Sequence, residues 1–240
     1  MAAGFGHLGS CMSCAELVAA AFEIFDFSTD EHVGSDVFVL SKGHAAPVLY
    51  AATARSSEPI PYAKAGSRFP AHPNATLTEN VHVSTGSVGI GLAIAIGIAG
   101  GLTLQGQPGR VVVLAGDGEM QAGMVWEALL NAELRASLPL LFVVDANGYQ
   151  GGMAVPTNDL VREMVAANVR EFHAIDGNDP RGVLDVYREF ADEPRLTAVW
   201  AETRRGAGVP LIERNPLPMT WRPDREDAEA IAAELRAAVD

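Results

Sequence analysis

Residues 111–151 read VVVLAGDGEMQAGMVWEALLNAELRASLPLLFVVDANGYQG. The order is strand, turn, helix, strand, turn. Val111 to Ala115 is a short β-branched run, as expected of a strand buried on both faces. Gly116-Asp117-Gly118 follows at once, and two glycines around an acid allow a sharp turn with its N–H groups open to an anion. Val125, Leu129, Ala132 and Ala136 have helical spacing, which predicts a helix over roughly 121–136. Pro139 ends it and introduces a second buried strand, Leu140 to Val144. Asp145, Asn147 and Gly148 stand at that strand's end.

A short helical crossover makes the two strands parallel, so both turns open on one edge of the sheet. Ligands of open α/β sheets bind outside that carboxyl edge. One turn offers the Asp117 carboxylate, the other the Asn147 amide oxygen, and the chain near Tyr149 offers carbonyls. Oxygen ligands with glycine-lined N–H groups suit Mg²⁺ bridging to a diphosphate. A bare Gly-Asp-Gly fits equally well a buried strand end with a helix-capping Asp. The Asn-Gly thirty positions further on favours the ligand reading.

Working outward, 240 residues can bury the core of one α/β domain, taken as 1–240 with a helical tail at its C-terminal end. A net charge of −13 argues against nucleic acid or an anionic membrane as partner. It also means that N–H groups and a metal must supply any field for an anionic ligand. Cys11 and Cys14 are the only cysteines, and without a second ligand pair they read as ordinary core or surface residues. The start MAAGFGHLG lacks the features of a signal peptide, and Val88–Leu104 is too short and Gly-rich for a membrane span, so a cytoplasmic protein is expected.

Residues 4–10, GFGHLGS, read as a Gly-rich loop carrying His7. Ser13 and Glu16 have capping-box spacing, which predicts a helix from there to about Phe25. Asp36 to Leu40 reads as a strand, Ser41 to His44 as its terminal turn, and Ala46 to Ala54 as a helix. Residues 56–80 read as a loop and short helix wrapping the site, carrying Arg68 and His72. STGSVGIG (84–91) is a second Gly-rich turn, and its helix, Ile90 to about Gly101, is apolar on every side and so expected to be buried. The start of that helix can receive a phosphate, while Gly97, Gly100 and Gly101 suit close helix packing. Further helices are expected over Asn158–Val169, Pro180–Phe190 and Asp224–Val239. Strands are expected over Glu171–Ile175 and Leu196–Glu202, with a basic turn at Arg204–Val209. The fold class is thus α/β, an open, mostly parallel sheet with helices on both faces.

Six ordered stretches resemble the N-terminal, diphosphate-binding half of transketolases, within the thiamine diphosphate enzymes. They are GHLGS (6–10), FVLSKGHAAPVLYA (38–51), STGSVGIGLAIAIG (84–97), GDGEMQAGMVWEAL (116–129), VDANGYQ (144–150) and ETRRGAGVPLIE (202–213). The resemblance implies thiamine diphosphate and Mg²⁺ as cofactors. It implies Asp117, Asn147 and the Tyr149 carbonyl as metal ligands, with Gly86, Ser87, Val88, Gly118 and Asn147 lining the cofactor. It gives catalytic roles to His7 and His72, on the substrate's oxygens, and to His44, near the cofactor. His82, before a cofactor turn, is a weaker candidate. His32 and His173 read as surface or packing.

The family's activating glutamate lies in a second, pyrimidine-binding domain that 240 residues do not accommodate. The resemblance therefore implies a split transketolase: a separate C-terminal subunit, an α2β2 assembly and a small ketose or 2-oxo substrate. Two departures stand out. The family's glutamate five residues after the GDG aspartate is Ala122 here, with Glu119 and Gln121 nearby. The family's Trp-His pair is reduced to Trp221, leaving Arg204 or Arg205 to supply charge. The competing readings are a catalytically silent scaffold subunit or a 2-oxo acid dehydrogenase-like subunit.

Overall fold

The computed structural model describes residues 6–28, 35–54, 60–131, 138–155, 158–214 and 224–237. In chain order its elements are α1 (Leu8–Met12), α2 (Ala15–Ile24), β1 (Val37–Leu40), α3 (Ala46–Ala54), α4 (Ile90–Leu104), β2 (Val111–Gly116), α5 (Gly123–Leu129) and β3 (Leu140–Ala146). There follow β4 (Tyr149–Gln150), β5 (Met153–Ala154), α6 (Asn158–Ala167), β6 (Glu171–Asp176), α7 (Pro180–Asp192), β7 (Thr197–Glu202), α8 (Pro210–Glu213) and α9 (Arg225–Ala237).

The expected α/β class is what the chain adopts. Five strands form one sheet in the order β1-β2-β3-β7-β6, every pairing parallel. The register sets Gly116 beside Asp145, and Ala146 beside Glu202, so these three strand ends share one edge. Because side chains alternate along a strand, each central strand feeds two cores. Val112, Leu114, Leu141 and Val143 face α2, α3 and α7. Val111, Val113, Phe142 and Val144 face α4, α5 and α6. Val111–Ala115 and Leu140–Val144 are at most 1% exposed, as expected for strands covered on both sides. A smaller cluster joins Val209, Ile212 and Ile231 to Leu8 and Met12, docking α8 and α9 on α1.

Several local expectations are corrected. The stretch around His7 is helical from Leu8, not a loop. Ser13 caps nothing at the start of α2: Cys14 is its N-cap residue and makes no side-chain cap bond. The Ser13 hydroxyl instead donates to Asp145 Oδ2 at 2.7 Å. The predicted helix over 121–136 divides into a 3-10 turn, Asp117–Gln121, and the short α5, while Ala132 and Ala136 lie outside the described residues. No helix occurs among described residues 60–80. Helix α4 buries only one face, through Leu92, Ala95 and Ala99. Ala93, Gly97 and Leu104 are exposed on the other, and a Cβ at Gly97, Gly100 or Gly101 would meet open space, so those glycines make no close packing. Among the described residues no helix is long and apolar enough to cross a membrane. His32 and Trp221 lie outside the described residues.

Candidate active site

A cavity of roughly 380 Å³ opens at the carboxyl edge where the β1, β2 and β3 ends converge. His7, His44 and His72, sixty-five residues apart at the extremes, all line it. So do Gly86, Val88, Asp117, Gly118, Asn147 and Tyr149; Ser87 is not among the lining residues. His7 is the N-cap residue of α1, and its ring meets that of His44 edge to face at 5.2 Å. His44 lies in a 3-10 turn after β1, and His72 comes from the loop before α4. His82 does not line the cavity; it packs edge-on against Phe27, and its buried Nε2 has no hydrogen-bond partner among the described residues. His173 sits on β6 beside Glu171.

Asp117 is 1% exposed. One carboxylate oxygen accepts from the Gly118 amide at 2.8 Å. The other accepts from the Gly148 amide at 2.7 Å and from Asn158 Nδ2 at 3.1 Å. The acid of one strand end thus ties down the glycine turn of the next. Burial pushes the Asp117 carboxyl above its ordinary range, the cost of a charge short of water and of counter-charge. Asn147 Oδ1 accepts from the Tyr149 amide at 3.0 Å, which leaves one lone pair of that oxygen.

These residues fit a hard divalent cation. A buried carboxylate and an amide oxygen face the same cavity, and Asn158 Oδ1, beside Asp117, is buried without a hydrogen-bond partner among the described residues. Gly118 clears the approach: a Cβ there would stand 2.9 Å from Gln150 Cβ, so a side chain would fill the cradle beneath the turn.

Three further groups line this cavity: Glu119 and Arg205, which the sequence reading named without a settled role, and Lys42, which it left without one. Glu119 is 7% exposed and accepts from the Gly89 amide at 3.0 Å, the Gly116 amide at 3.1 Å and the Ser41 hydroxyl. Burial raises its carboxyl as well. One carboxylate therefore stitches the ends of β1 and β2 to the start of α4. The amide expected to greet a phosphate at that helix start already holds the chain's own anion. Lys42 is 3% exposed and paired with Asp145; burial works against its charge, yet that carboxylate holds it protonated. Arg205 also lines the cavity, with its guanidinium over the Tyr149 ring at 5.4 Å, while Arg204 points away, beside Glu213 at 3.8 Å. Their signal was present in the sequence, since Lys42 and Arg205 stand inside quoted motifs and Glu119 follows GDG directly. Cys11 and Cys14 are buried and not joined in a disulfide, their thiols raised by burial, Cys11 to about 12, as expected of inert core residues.

Residues 1–173 match the family model described as 1-deoxy-D-xylulose-5-phosphate synthase. "Transketolase-like protein 2" of Bos taurus is 37% identical over 225 residues, which is 88% of this chain and 36% of that protein. One subunit of the apulose-4-phosphate transketolase of Actinobacillus succinogenes is 30% identical over 247 residues, covering 96% of this chain and 88% of that relative. The transketolase structure from Campylobacter jejuni superposes with a TM-score of 0.86 at 21% identity, over 98% of this chain and 40% of that one. The chain therefore spans little more than a third of the longer relatives and most of the Actinobacillus succinogenes one.

Proposed function

The chain belongs to the family that unites the N-terminal regions of 1-deoxy-D-xylulose-5-phosphate synthases and transketolases, and from that premise we propose that it is the diphosphate-binding subunit of a split, transketolase-like transferase. The reading has it hold thiamine diphosphate through Mg²⁺ and move a two-carbon ketol unit, in an α2β2 assembly with a separate subunit carrying the pyrimidine-binding domain. The observation that carries it is the joining of Asp117 to the Asn147-Gly148 turn inside a cavity ringed by His7, His44 and His72. The high mutual coverage with a relative whose own name makes it one subunit of a transketolase supports the split arrangement.

Thiamine diphosphate, when bound, supplies a carbon nucleophile and an electron sink. The remaining work falls to the chain. Asp117, Asn147 and the Tyr149 carbonyl would hold the metal, and Gly118 gives the diphosphate close approach to backbone. Arg205 supplies a permanent positive charge in place of the histidine the family carries near its C-terminal end. His44 stays neutral near pH 7, because burial and the cations around it push its pKa down to about 3, so it accepts or donates a hydrogen bond without adding charge. His7 and His72 both line the cavity and are placed to hand a proton to or from a substrate oxygen, a contribution of about 10²–10⁴ in rate.

Calorimetric titration of thiamine diphosphate with Mg²⁺ into the chain, alone and mixed with a candidate pyrimidine-binding subunit, tests this. Tight binding and ketol transfer in the mixture, with no turnover by the chain alone, are expected. Asp117→Ala should abolish the Mg²⁺-dependent binding while the circular dichroism spectrum stays unchanged. Unaltered affinity in that variant would defeat the site assignment.

A further inference from the structure

Asp145 is the penultimate residue of β3, at 0% exposure and two residues before Asn147. Four donors from four parts of the chain converge on it. Ser13 Oγ donates at 2.7 Å, Asn147 Nδ2 at 3.2 Å, and Lys42 Nζ and the Thr203 hydroxyl complete the set. Lys42 also donates to the Ser10 carbonyl at 3.0 Å. The Ser13 proton goes to the carboxylate, which leaves its oxygen to accept from Asn147 Nδ2 at 3.2 Å. On its other side Asn147 meets the Tyr149 amide, which can only donate. A carboxylate only accepts and a backbone N–H only donates, so one orientation of the Asn147 amide satisfies both. Reversing it would set its oxygen against Asp145 and its NH₂ against an N–H.

We propose that Asp145, held in place by Lys42, Ser13 and Thr203, is a positioning residue that locks the Asn147 amide so that its oxygen, and never its nitrogen, is offered to a divalent cation in the cavity. The inference rests on the metal–diphosphate reading above and deepens it. The three strand and helix ends that meet at Asp145 carry no ligand of their own; their work is to decide which face of one amide the cavity sees.

The test uses the full-length chain and Mg²⁺ with inorganic pyrophosphate as the probe, followed by calorimetry. Asp145→Asn removes the forcing acceptor and should weaken Mg²⁺-dependent pyrophosphate binding by about 10–100-fold, the usual effect of losing a partner that orients a metal ligand. Adding Asn147→Asp to that variant places an oxygen toward the cavity whichever way the side chain turns, and should recover most of the loss. A purely structural role for Asp145 would leave the double variant as weak as the single one, and that result overturns the proposal, as does a folded D145N with wild-type affinity. Should D145N not fold, the wild-type Asn147 side-chain NH₂ signals serve in its place. Slow hydrogen exchange, unchanged on adding Mg²⁺ and pyrophosphate, is expected; rapid exchange overturns the lock. No Mg²⁺-dependent binding by the wild-type chain would instead strike the metal–diphosphate reading itself.

Discussion

His44 illustrates how much one side chain's chemistry depends on its neighbours. Burial, followed by Lys42, His7, His72 and Arg205, drives its pKa from an ordinary 6.5 to about 3. The unfolded chain takes up this proton near 6.5, and the folded chain refuses it until about 3. The stability tied to neutral His44 is therefore complete above that upper value and drains away as pH falls through the window between the two. One such group gives a slope of at most about 1.4 kcal/mol per pH unit. His82, also lowered by burial, acts with the same sign. Denaturant melts between about pH 4 and 7 should show His44→Gln with a shallower decline than wild type by up to that amount; parallel curves would contradict the burial argument. The same scale shows what the sequence disclosed. Asp117 and Asn147 were legible because each stands at the end of a β-rich run, where topology alone assigns the edge. The role of Asp145 was not, because its partners Ser13, Lys42 and Thr203 lie 132, 103 and 58 residues away. Ser13 was misread for the same reason: its spacing to Glu16 satisfied a local rule, and a distant carboxylate took the hydroxyl.

At the scale of elements, α4 is the instructive departure. Composition alone cannot tell an apolar helix covered on all sides from one covered on a single side, because both lack a polar stripe. The structure leaves Val88 64% and Leu104 91% exposed at its two ends, with Gly97 and Gly100 facing open space between them. A glycine in a helix interior costs about 0.5–1 kcal/mol against alanine. Gly97→Ala and Gly100→Ala should each stabilise the chain by roughly that amount in a urea titration. A loss of more than about 1 kcal/mol would mean that a neighbour does press on this face. By contrast α3 matched its predicted bounds, Ala46 to Ala54, since Pro47 within its first turn fixes the start without breaking a helical bond.

The whole molecule carries a net charge of −13, an expense in self-repulsion that the fold meets while sheltering a cavity proposed to take an anion. Raising NaCl from about 0.01 to 0.3 M shortens the reach of that repulsion from about 30 Å to well under 10 Å. The melting temperature should therefore rise over this range, as followed by circular dichroism; a fall would imply that attractive pairs such as Arg110–Asp36 outweigh the general repulsion. The parallel sheet was readable at this scale from alternating strand and helix patterns, but the order of its strands was not, because nothing local says that β7 inserts between β3 and β6. That insertion has a consequence for how the protein is made. Glu171 pairs with Thr197, so β6 leaves the ribosome 26 residues ahead of the only strand it pairs with among the described residues. Helix α7 can already pack on α2 through Phe25, Tyr187 and Phe190, but β6 has no strand to pair with among the described residues until β7 is made. Thr203, which completes the set of donors around Asp145, follows on the next residue after β7 ends. The pairing of two of the five strands and the completion of the donor set around Asp145 therefore both wait on the same stretch of chain.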